Sequence, residues 1–318
     1  MNALFLKGTR LMSVLFLVLT VLTGCTKSDD TVATPQTITD RILEDSQFSI
    51  LRAAVTYSEM GDLLKGGNLT LFAPNDAAFQ VAGYGSPTAI AALSKEQVRS
   101  LLLYHVLEGP VPASAIPGGL NPVTTADKGV AYINKASDGR VFINNAQVIQ
   151  ADIQVANGYI HSIDQVLTPS AGNLLTAIRT NPNLTLLTAA VNRVAASNPT
   201  LLATLSNNAS TNLVTIFAPN DAAFRSAGYT DLAAINAANL QTLTNVLLYH
   251  VVSGVTFSNQ FQTGTLNTLL TGNRLIVLST ANLLTIKGNK NATTATVKQG
   301  NIPANSGVIH IIDQVLLP

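Results

Sequence analysis

An eight-residue block, Phe72-Ala73-Pro74-Asn75-Asp76-Ala77-Ala78-Phe79, returns unchanged at Phe217 to Phe224. A Tyr-His-Val triplet keeps the same offset, Tyr104-His105-Val106 and Tyr249-His250-Val251 (250 − 105 = 145). Each copy closes on a related octet, Ile160-His161-Ser162-Ile163-Asp164-Gln165-Val166-Leu167 and Ile309-His310-Ile311-Ile312-Asp313-Gln314-Val315-Leu316 (310 − 161 = 149). All four histidines fall inside these motifs. The chain is therefore read as two copies of one unit. An active site would have to account for its own duplication, whereas a repeated packing or binding module would not.

The first residues read as an address. Lys7 and Arg10 precede an almost wholly apolar run from Leu11 to Leu22, which ends at Leu22-Thr23-Gly24-Cys25. About a dozen apolar residues are too few for a spanning helix of about 20 and fit a secretory signal. Leu-x-Gly-Cys resembles the bacterial lipobox, which implies cleavage after residue 24 and lipidation of Cys25. That is the only cysteine of the chain, so no disulfide or thiolate metal site is expected. Residues 25–37 are polar and read as a lipidated tether. Lys27-Ser28-Asp29-Asp30 resembles the acidic export tags of surface lipoproteins, which points to the outer membrane and toward its outer face.

Two domains are expected in the remaining length, residues 38–169 and 172–318. Hydrophobic residues make up 47%, enough for two cores, while charged residues are only 11%, against roughly 25% in an ordinary soluble domain. Residues 38–169 carry 8 Lys+Arg and 12 Asp+Glu (8 − 12 = −4), and residues 171–318 carry 7 and 3 (7 − 3 = +4). Such opposite charges are suited to biasing how halves dock, or to facing an anionic partner; drift between copies is the simpler origin.

Each copy opens with helical periodicity, Phe48, Leu51 and Val55 matching Leu184, Leu187 and Val191. Their offset is 136, so the second copy gains nine residues before the repeated block. Ala195 to Asn208, with its Asn198-Pro199 break, is expected to hold them as a surface loop or helix extension. Thr70-Leu71-Phe72 reads as a strand stopped by Pro74. Asn75 and Asn220 then cap helices that carry Asp76 and Asp221 in their first turns. Ser94 with Gln97 forms a capping box, Leu93 and Val98 are placed as a staple, and Asn239 caps the second copy. Both leucine-rich helices run into the Tyr-His pairs. Val130 to Ile133 and Val141 to Ile143 flank Ser137-Asp138-Gly139 as a hairpin, matched by Leu275 to Leu278 and Leu283 to Ile286. Closing strands begin at Gly158 and Gly307. Helices first and mostly antiparallel strands afterwards indicate an α+β fold. With only Pro169-Ser170-Ala171-Gly172 between them, the copies should not tumble independently.

These motifs resemble the fasciclin domain family. Thr-Leu-Phe-Ala-Pro-Asn-Asp-Ala-Ala-Phe looks like its first motif, Leu-Leu-Tyr-His-Val its central one, and Gly-x-Ile-His-x-Ile-Asp-x-Val-Leu its last. The resemblance covers about 280 of the 318 residues. It implies two tandem domains, each a β-wedge of mostly antiparallel strands with helices packed across it. It further implies extracellular adhesion or ligand binding with no enzymatic activity and no required cofactor. In animal members the Tyr-His region is linked to integrin-mediated adhesion, which carried over by position marks Tyr104, His105, Tyr249 and His250. The partner itself does not carry over.

Residue chemistry agrees with a non-catalytic reading. A Ser162, His161 and Asp164 triad would fail in the second copy, where Ile311 replaces the serine, and adjacent strand residues point to opposite faces. A metal site at His161 and Asp164, or at His310 and Asp313, lacks a third ligand; one member of each pair is expected to satisfy backbone groups. His105 and His250 are expected to hydrogen-bond at helix ends, where a cationic ring suits the dipole. Tyr104 and Tyr249 should be buried with paired hydroxyls. No Trp and 5% aromatics argue against a dedicated sugar platform, and no basic stripe supports nucleic-acid binding. The sequons at Asn68, Asn183, Asn208 and Asn291 read as background of an Asn/Thr-rich surface. The expectation is an outer-membrane lipoprotein held in the membrane through Cys25 that adheres to a protein, glycan or matrix polymer. The divergent segments Glu108 to Asp127 and Ser253 to Asn273 are expected to choose the partner. The alternative is an accessory protein binding a small lipid or glycan within an envelope complex, which a deep apolar pocket in one copy would favour.

Overall fold

A computed structural model describes residues 35–280 and 283–318. The signal, Cys25 and most of the tether lie outside them. The first copy begins with three helices, α1 (Ile38–Glu44), α2 (Ser49–Tyr57) and α3 (Gly61–Lys65), followed by strand β1 (Leu69–Pro74). Helices α4 (Asp76–Val81), α5 (Pro87–Ala91) and α6 (Lys95–Tyr104) come next, then β2 (Val106–Glu108), β3 (Gly119–Thr124), β4 (Val130–Lys135), β5 (Val141–Ile143), β6 (Ala146–Val155) and β7 (Gly158–Ile163). The second copy repeats the order with α7 (Leu174–Thr180), α8 (Thr185–Ala195), α9 (Pro199–Ser206), β8 (Val214–Pro219), α10 (Asp221–Ser226), α11 (Leu232–Ala237) and α12 (Leu240–Tyr249). It ends with β9 (Val251–Ser253), β10 (Gly264–Asn267), β11 (Arg274–Thr280), β12 (Leu283–Lys287), β13 (Ala295–Ala304) and β14 (Gly307–Ile312).

The strands form two seven-stranded sheets of one topology, β2-β1-β7-β6-β5-β4-β3 and β9-β8-β14-β13-β12-β11-β10. Only β1–β7 and β8–β14 pair in parallel; every other neighbouring pair is antiparallel. The repeated block thus supplies a central strand that lies beside the closing motif. Strand alternation divides its side chains between two cores. Leu71, Ala73 and Ile160 pack under the helices with Phe48, Leu51 and Val55. Phe72 and Ile163 face the other way, toward Tyr104, Ile133 and Ile143. The second copy has the same two layers. A strand covered on both faces explains why Thr-Leu-Phe-Ala reads as a nearly unbroken apolar run.

The parallel contact demands glycine. Gly158 has φ +141, and a Cβ there would stand 1.8 Å from the Leu69 carbonyl oxygen. At Gly307 a Cβ would stand 2.2 Å from the Val214 oxygen. Local signals act as their residue types dictate elsewhere too. The Asn75 and Asn220 side chains accept from Ala78 and Ala223 N–H at 2.8 Å, and Ser94 with Gln97 closes the capping box of α6; each such cap contributes about 1 kcal/mol.

The nine additional residues are divided between helix extension and loop. Two lengthen α8 beyond the counterpart of α2, and three lengthen the counterpart of α3 into α9, whose Leu201 and Leu205 are buried as Met60 and Leu64 are. The rest form the turn between α9 and β8. Pro199 starts the helix at its first position, where its missing N–H costs nothing.

Tyr132 joins the two domains. Its side chain on β4 is fully buried among Val255, Phe257 and Val308 of the second copy, with the Phe257 ring centroid at 6.0 Å. The phenol O–H is directed at the carbonyls of Ala304 (2.9 Å) and Asn305 (3.0 Å). Asn259 Nδ2 donates to the Asn145 carbonyl at 2.9 Å, and Ser170 Oγ to Asn305 Oδ1 at 3.0 Å. None of the ion pairs among the described residues crosses this joint. The contacts found there are the buried Tyr132 ring and hydrogen bonds between uncharged groups.

Candidate functional site

The Tyr-His pair sits where α6 gives way to β2. His105 takes the C-cap position, and its backbone carbonyl accepts Phe72 N–H at 2.9 Å, tying the helix end to the central strand. Its ring turns inward rather than toward solvent. Nδ1–H donates to the Leu101 carbonyl at 2.8 Å, one of the carbonyls left over at a helix end. Nε2 accepts the Leu167 N–H at 2.9 Å, just after the closing strand. His250 repeats this with Val246 (2.7 Å) and Leu316 (2.8 Å).

A carbonyl requires a donor and an amide requires an acceptor, so these two partners fix the neutral tautomer with the proton on Nδ1. A second proton would face the amide N–H head on. Burial disfavours the charged ring and outweighs the helix carbonyl, which favours it, so both histidines are pushed down to about 4. The expected cationic ring at the helix end is corrected: the ring is 1% exposed in one copy and 2% in the other, and desolvation exceeds the dipole's attraction.

Tyr104 and Tyr249 are fully buried. Tyr104 O–H donates to the Val130 carbonyl at 2.8 Å and accepts from Asn144 Nδ2 at 3.0 Å. Tyr249 O–H donates to the Arg274 carbonyl at 2.7 Å and accepts from the Asn289 N–H at 2.9 Å. Burial raises the Tyr104 hydroxyl well above its ordinary value. None of the four side chains of the Tyr-His pairs reaches the surface, so direct contact with a partner is not open to them as they stand.

The closing-strand histidines hold a different seam. His161 Nε2–H donates to the Val111 carbonyl at 2.8 Å, while Nδ1 accepts the Asp152 N–H at 3.1 Å. His310 does the same with Thr256 (2.9 Å) and Asn301 (3.4 Å). Asp152 and Asn301 occupy left-handed backbone, φ +56 and +61, at the irregularity in β6 and β13. Burial depresses both rings, His310 to about 4. Asp164 and Asp313 accept the N–H of Gln147 and Thr296, each at 2.7 Å. In both pairs, then, the histidine and the aspartate alike serve backbone groups.

No triad assembles. Both nitrogens of His161 are taken by backbone, and the buried Ser162 hydroxyl reaches only Gln47 Oε1, at 3.5 Å. Among the described residues no three His, Cys, Asp or Glu side chains gather as metal ligands. Asp76 does more than complement its own helix. Its carboxylate also accepts Ser49 Oγ–H (2.5 Å) and Ile50 N–H (2.9 Å), so it caps α2 from a distance, as Asp221 does α8 through Thr185 and Leu186. Asn157 was not singled out by the sequence. Its buried amide accepts Ile38 N–H and donates to the Leu64 carbonyl, both at 2.8 Å, fastening α1 and α3 to the turn before β7.

One open cleft lies at the seam between the copies. It holds about 430 Å³ and is lined by Val81, Tyr84, Asn145, Gln165, Thr168 and Asn301 among others, with no charged side chain. A second, of about 470 Å³, shares Asn301 but lies within the second domain, lined by Asn259, Ser279, Thr280 and Leu283 among others, and a third, of about 740 Å³, opens in the same domain beside Thr200, Thr204, Asn212 and Leu269. The apolar space beside His250, under Leu201 and Leu205, holds only about 20 Å³. That is near the room one water needs and far below the 300 Å³ or more of a ligand pocket. The divergent segments differ from expectation. Ser253 to Asn273 contributes Val255 and Phe257 to the joint and forms β10, so part of it is closed to any partner. In Glu108 to Asp127 the corresponding side chains remain at the surface.

Comparison with known proteins follows from this geometry. A family model described as "Fasciclin domain" matches residues 46–169 and 183–318. Protein sll1483 of Synechocystis sp. is 34% identical over 135 residues, covering 42% of this chain and 73% of that protein. Human periostin is 24% identical over 262 residues, 82% of this chain and 30% of periostin. Cell surface glycolipoprotein MPB83 of Mycobacterium bovis is 34% identical over 110 residues, 35% of this chain and 48% of that protein. The chain therefore spans less than half the length of the last two.

Proposed function

This chain belongs to the fasciclin domain family, and from that premise we propose that it is a non-catalytic adhesion or matrix-binding lipoprotein of the bacterial outer membrane, displayed toward the surface. One observation carries the reading. Every histidine, with Tyr104 and Tyr249, is buried and committed to hydrogen bonds within the fold, in both copies. The side chains best able to do chemistry hold the chain together, and what remains for a partner is outer surface. MPB83, by its name a cell surface glycolipoprotein, supports the location. No helix among the described residues is long and apolar enough to cross a membrane; in this reading the lipid on Cys25 supplies the attachment. Within the surface, Glu108 to Asp127 is the better candidate for contact, since its counterpart is partly enclosed.

Replacing Cys25 with Ala tests the anchor and the role together. The protein should leave the membrane fraction, and cells should lose attachment to the matrix polymers of their own biofilm. Retention of Cys25→Ala in membranes would overturn the lipoprotein reading; full attachment by cells lacking the protein would overturn the adhesive one. A second reading, an accessory protein that binds a neutral glycan, draws on the two uncharged, amide- and hydroxyl-lined clefts that share Asn301. The lipid version of that alternative is less favoured, because the enclosed apolar space beside His250 holds only about 20 Å³.

A further inference from the structure

The joint inside the chain contains a surface that the second domain repeats and leaves open. Shared hydrogen bonds set the equivalence: Tyr104 and Tyr249 donate to the carbonyls of Val130 and Arg274. Counting two residues on from each acceptor makes Ile276 on β11 the counterpart of Tyr132 on β4. Leu278 replaces Asn134. The β-pairings Lys135–Val141 and Ser279–Leu284 make Leu283 the counterpart of Arg140. In the first domain Tyr132 is fully buried, Asn134 half-buried and Arg140 exposed, whereas Ile276, Leu278 and Leu283 are 43%, 44% and 51% exposed, so the contrast rests on Ile276. The run Leu275-Ile276-Val277-Leu278 is apolar on both faces, the composition of a strand covered on both sides, and only one side is covered.

The surface that covers Tyr132 also has a free counterpart. Thr215 and Thr70 bond the N–H of Thr256 and Val111 alike, so Pro112 stands for Phe257. Thr70 pairs with Tyr159 where Thr215 pairs with Val308. The joint between the domains sets the aromatic Tyr132 against the aliphatic Val308. A joint between chains would set the aliphatic Ile276 against the aromatic Tyr159. Where the described chain enters each domain, its path is the same. Ala156 N–H donates to the Gln36 carbonyl just as Asn305 N–H donates to that of Gly172, both at 2.8 Å, and the second arrangement already coexists with a docked neighbour.

Charge points the same way. The open face of the second domain is flanked by Arg274 and Lys287, in a half of net +4. The free face of the first is flanked by Asp152 and by Glu108, which Lys128 pairs at 2.7 Å, in a half of net −4. The equivalent positions in the internal joint are uncharged: Val130 and Asn144 on one side, Asn301 and Ser253 on the other.

We propose that a second copy of this chain docks on the Ile276, Leu278 and Leu283 face through its Pro112 and Tyr159 side, head to tail, continuing the internal joint from one molecule to the next. A contact of this kind joins unlike faces, so each copy that docks leaves a face for the next; it propagates as an open chain, or as a ring where the rotation between copies closes, and salt weakens its formation.

The test is sedimentation of the full chain in a non-ionic detergent. Wild type should show concentration-dependent growth that falls with added salt. Ile276→Lys and Tyr159→Lys should each raise the apparent Kd for self-association at least tenfold (about 1.4 kcal/mol). Mixed together they should form dimers and stop there, because each retains the face that the other lacks. Leu278→Lys and Glu108→Lys, both at exposed side chains, repeat the comparison should either first variant fold poorly. A wild-type chain monomeric up to about 1 mM overturns the proposal. So does a Tyr159→Lys chain that assembles like wild type while Ile276→Lys does not, since the open face would then pair with itself.

Discussion

His105 accepts the backbone N–H of Leu167, 62 residues away, at 2.9 Å on one ring nitrogen, while the other nitrogen donates to its own helix. One imidazole thus closes the first domain, joining the end of α6 to the segment that leaves β7. His250 and Leu316 repeat the closure.

Truncating that ring should weaken the fold. His105→Ala leaves the Leu101 carbonyl and the Leu167 N–H without protein partners in a buried site, at about 1–3 kcal/mol for each unsatisfied group. His250→Ala should cost a similar amount, and the two should add, since the sites share no partners. Urea unfolding measures this. Adhesion per folded molecule should stay at the wild-type level; a variant of unchanged stability and lost adhesion would reverse the assignment.

The same rings make stability depend on pH. An unfolded histidine titrates near 6.5, whereas His105, His250 and His310 in the fold are held down to about 4. The folded pKa is lower, so the unfolded chain takes up protons first as pH falls. Stability is complete above about 6.5 and is lost progressively toward pH 4, each ring contributing up to about 1.4 kcal/mol per pH unit. Unfolding free energies measured from pH 7.5 down to 4.5 should decline along this window, and His105→Gln should flatten the slope. A level profile would contradict the buried neutral rings.

Tyr132 should couple the domains energetically. Tyr132→Phe removes the hydroxyl that meets the Ala304 and Asn305 carbonyls, for about 1 kcal/mol. Tyr132→Ala also empties the space against Phe257, which in a packed core costs about 3–5 kcal/mol. Calorimetry should show one melting transition in wild type and two in Tyr132→Ala. A single unshifted transition in that variant would mean the joint carries no coupling.

Much of this was readable from residue types, and the exceptions have a common cause. Asn75, Asn220 and the Ser94–Gln97 box act within four residues of themselves, so their spacing reveals them. The hairpin at Ser137-Asp138-Gly139 and the glycines that open the closing strands are equally local. Asp76 shows its own helix in the sequence, but its bonds to Ser49 and Ile50 reach back across 27 and 26 residues. The charge state of His105 is hidden from the sequence for the same reason. Its place at a helix end is a one-dimensional fact that favours a cation, while the burial that forbids one appears only when the segment after β7 folds over it. Tyr132 lay in a strand apolar on both faces, a legible sign of double burial, but nothing in its spacing named the second domain as the cover.

The route of the chain through each domain has a mechanical consequence. The polypeptide enters beside Ala156, at the start of β7, and leaves from that strand's far end; it enters again beside Asn305, at the start of β14. Tension applied between a tethered end and a distant attachment would run lengthwise along β7 and then β14. Each is paired in parallel with its central neighbour over six residues. A lengthwise pull loads those bonds together, in shear, instead of unzipping them one after another. The closing strands, each opened by one glycine, are then the tendons along which such a pull would pass.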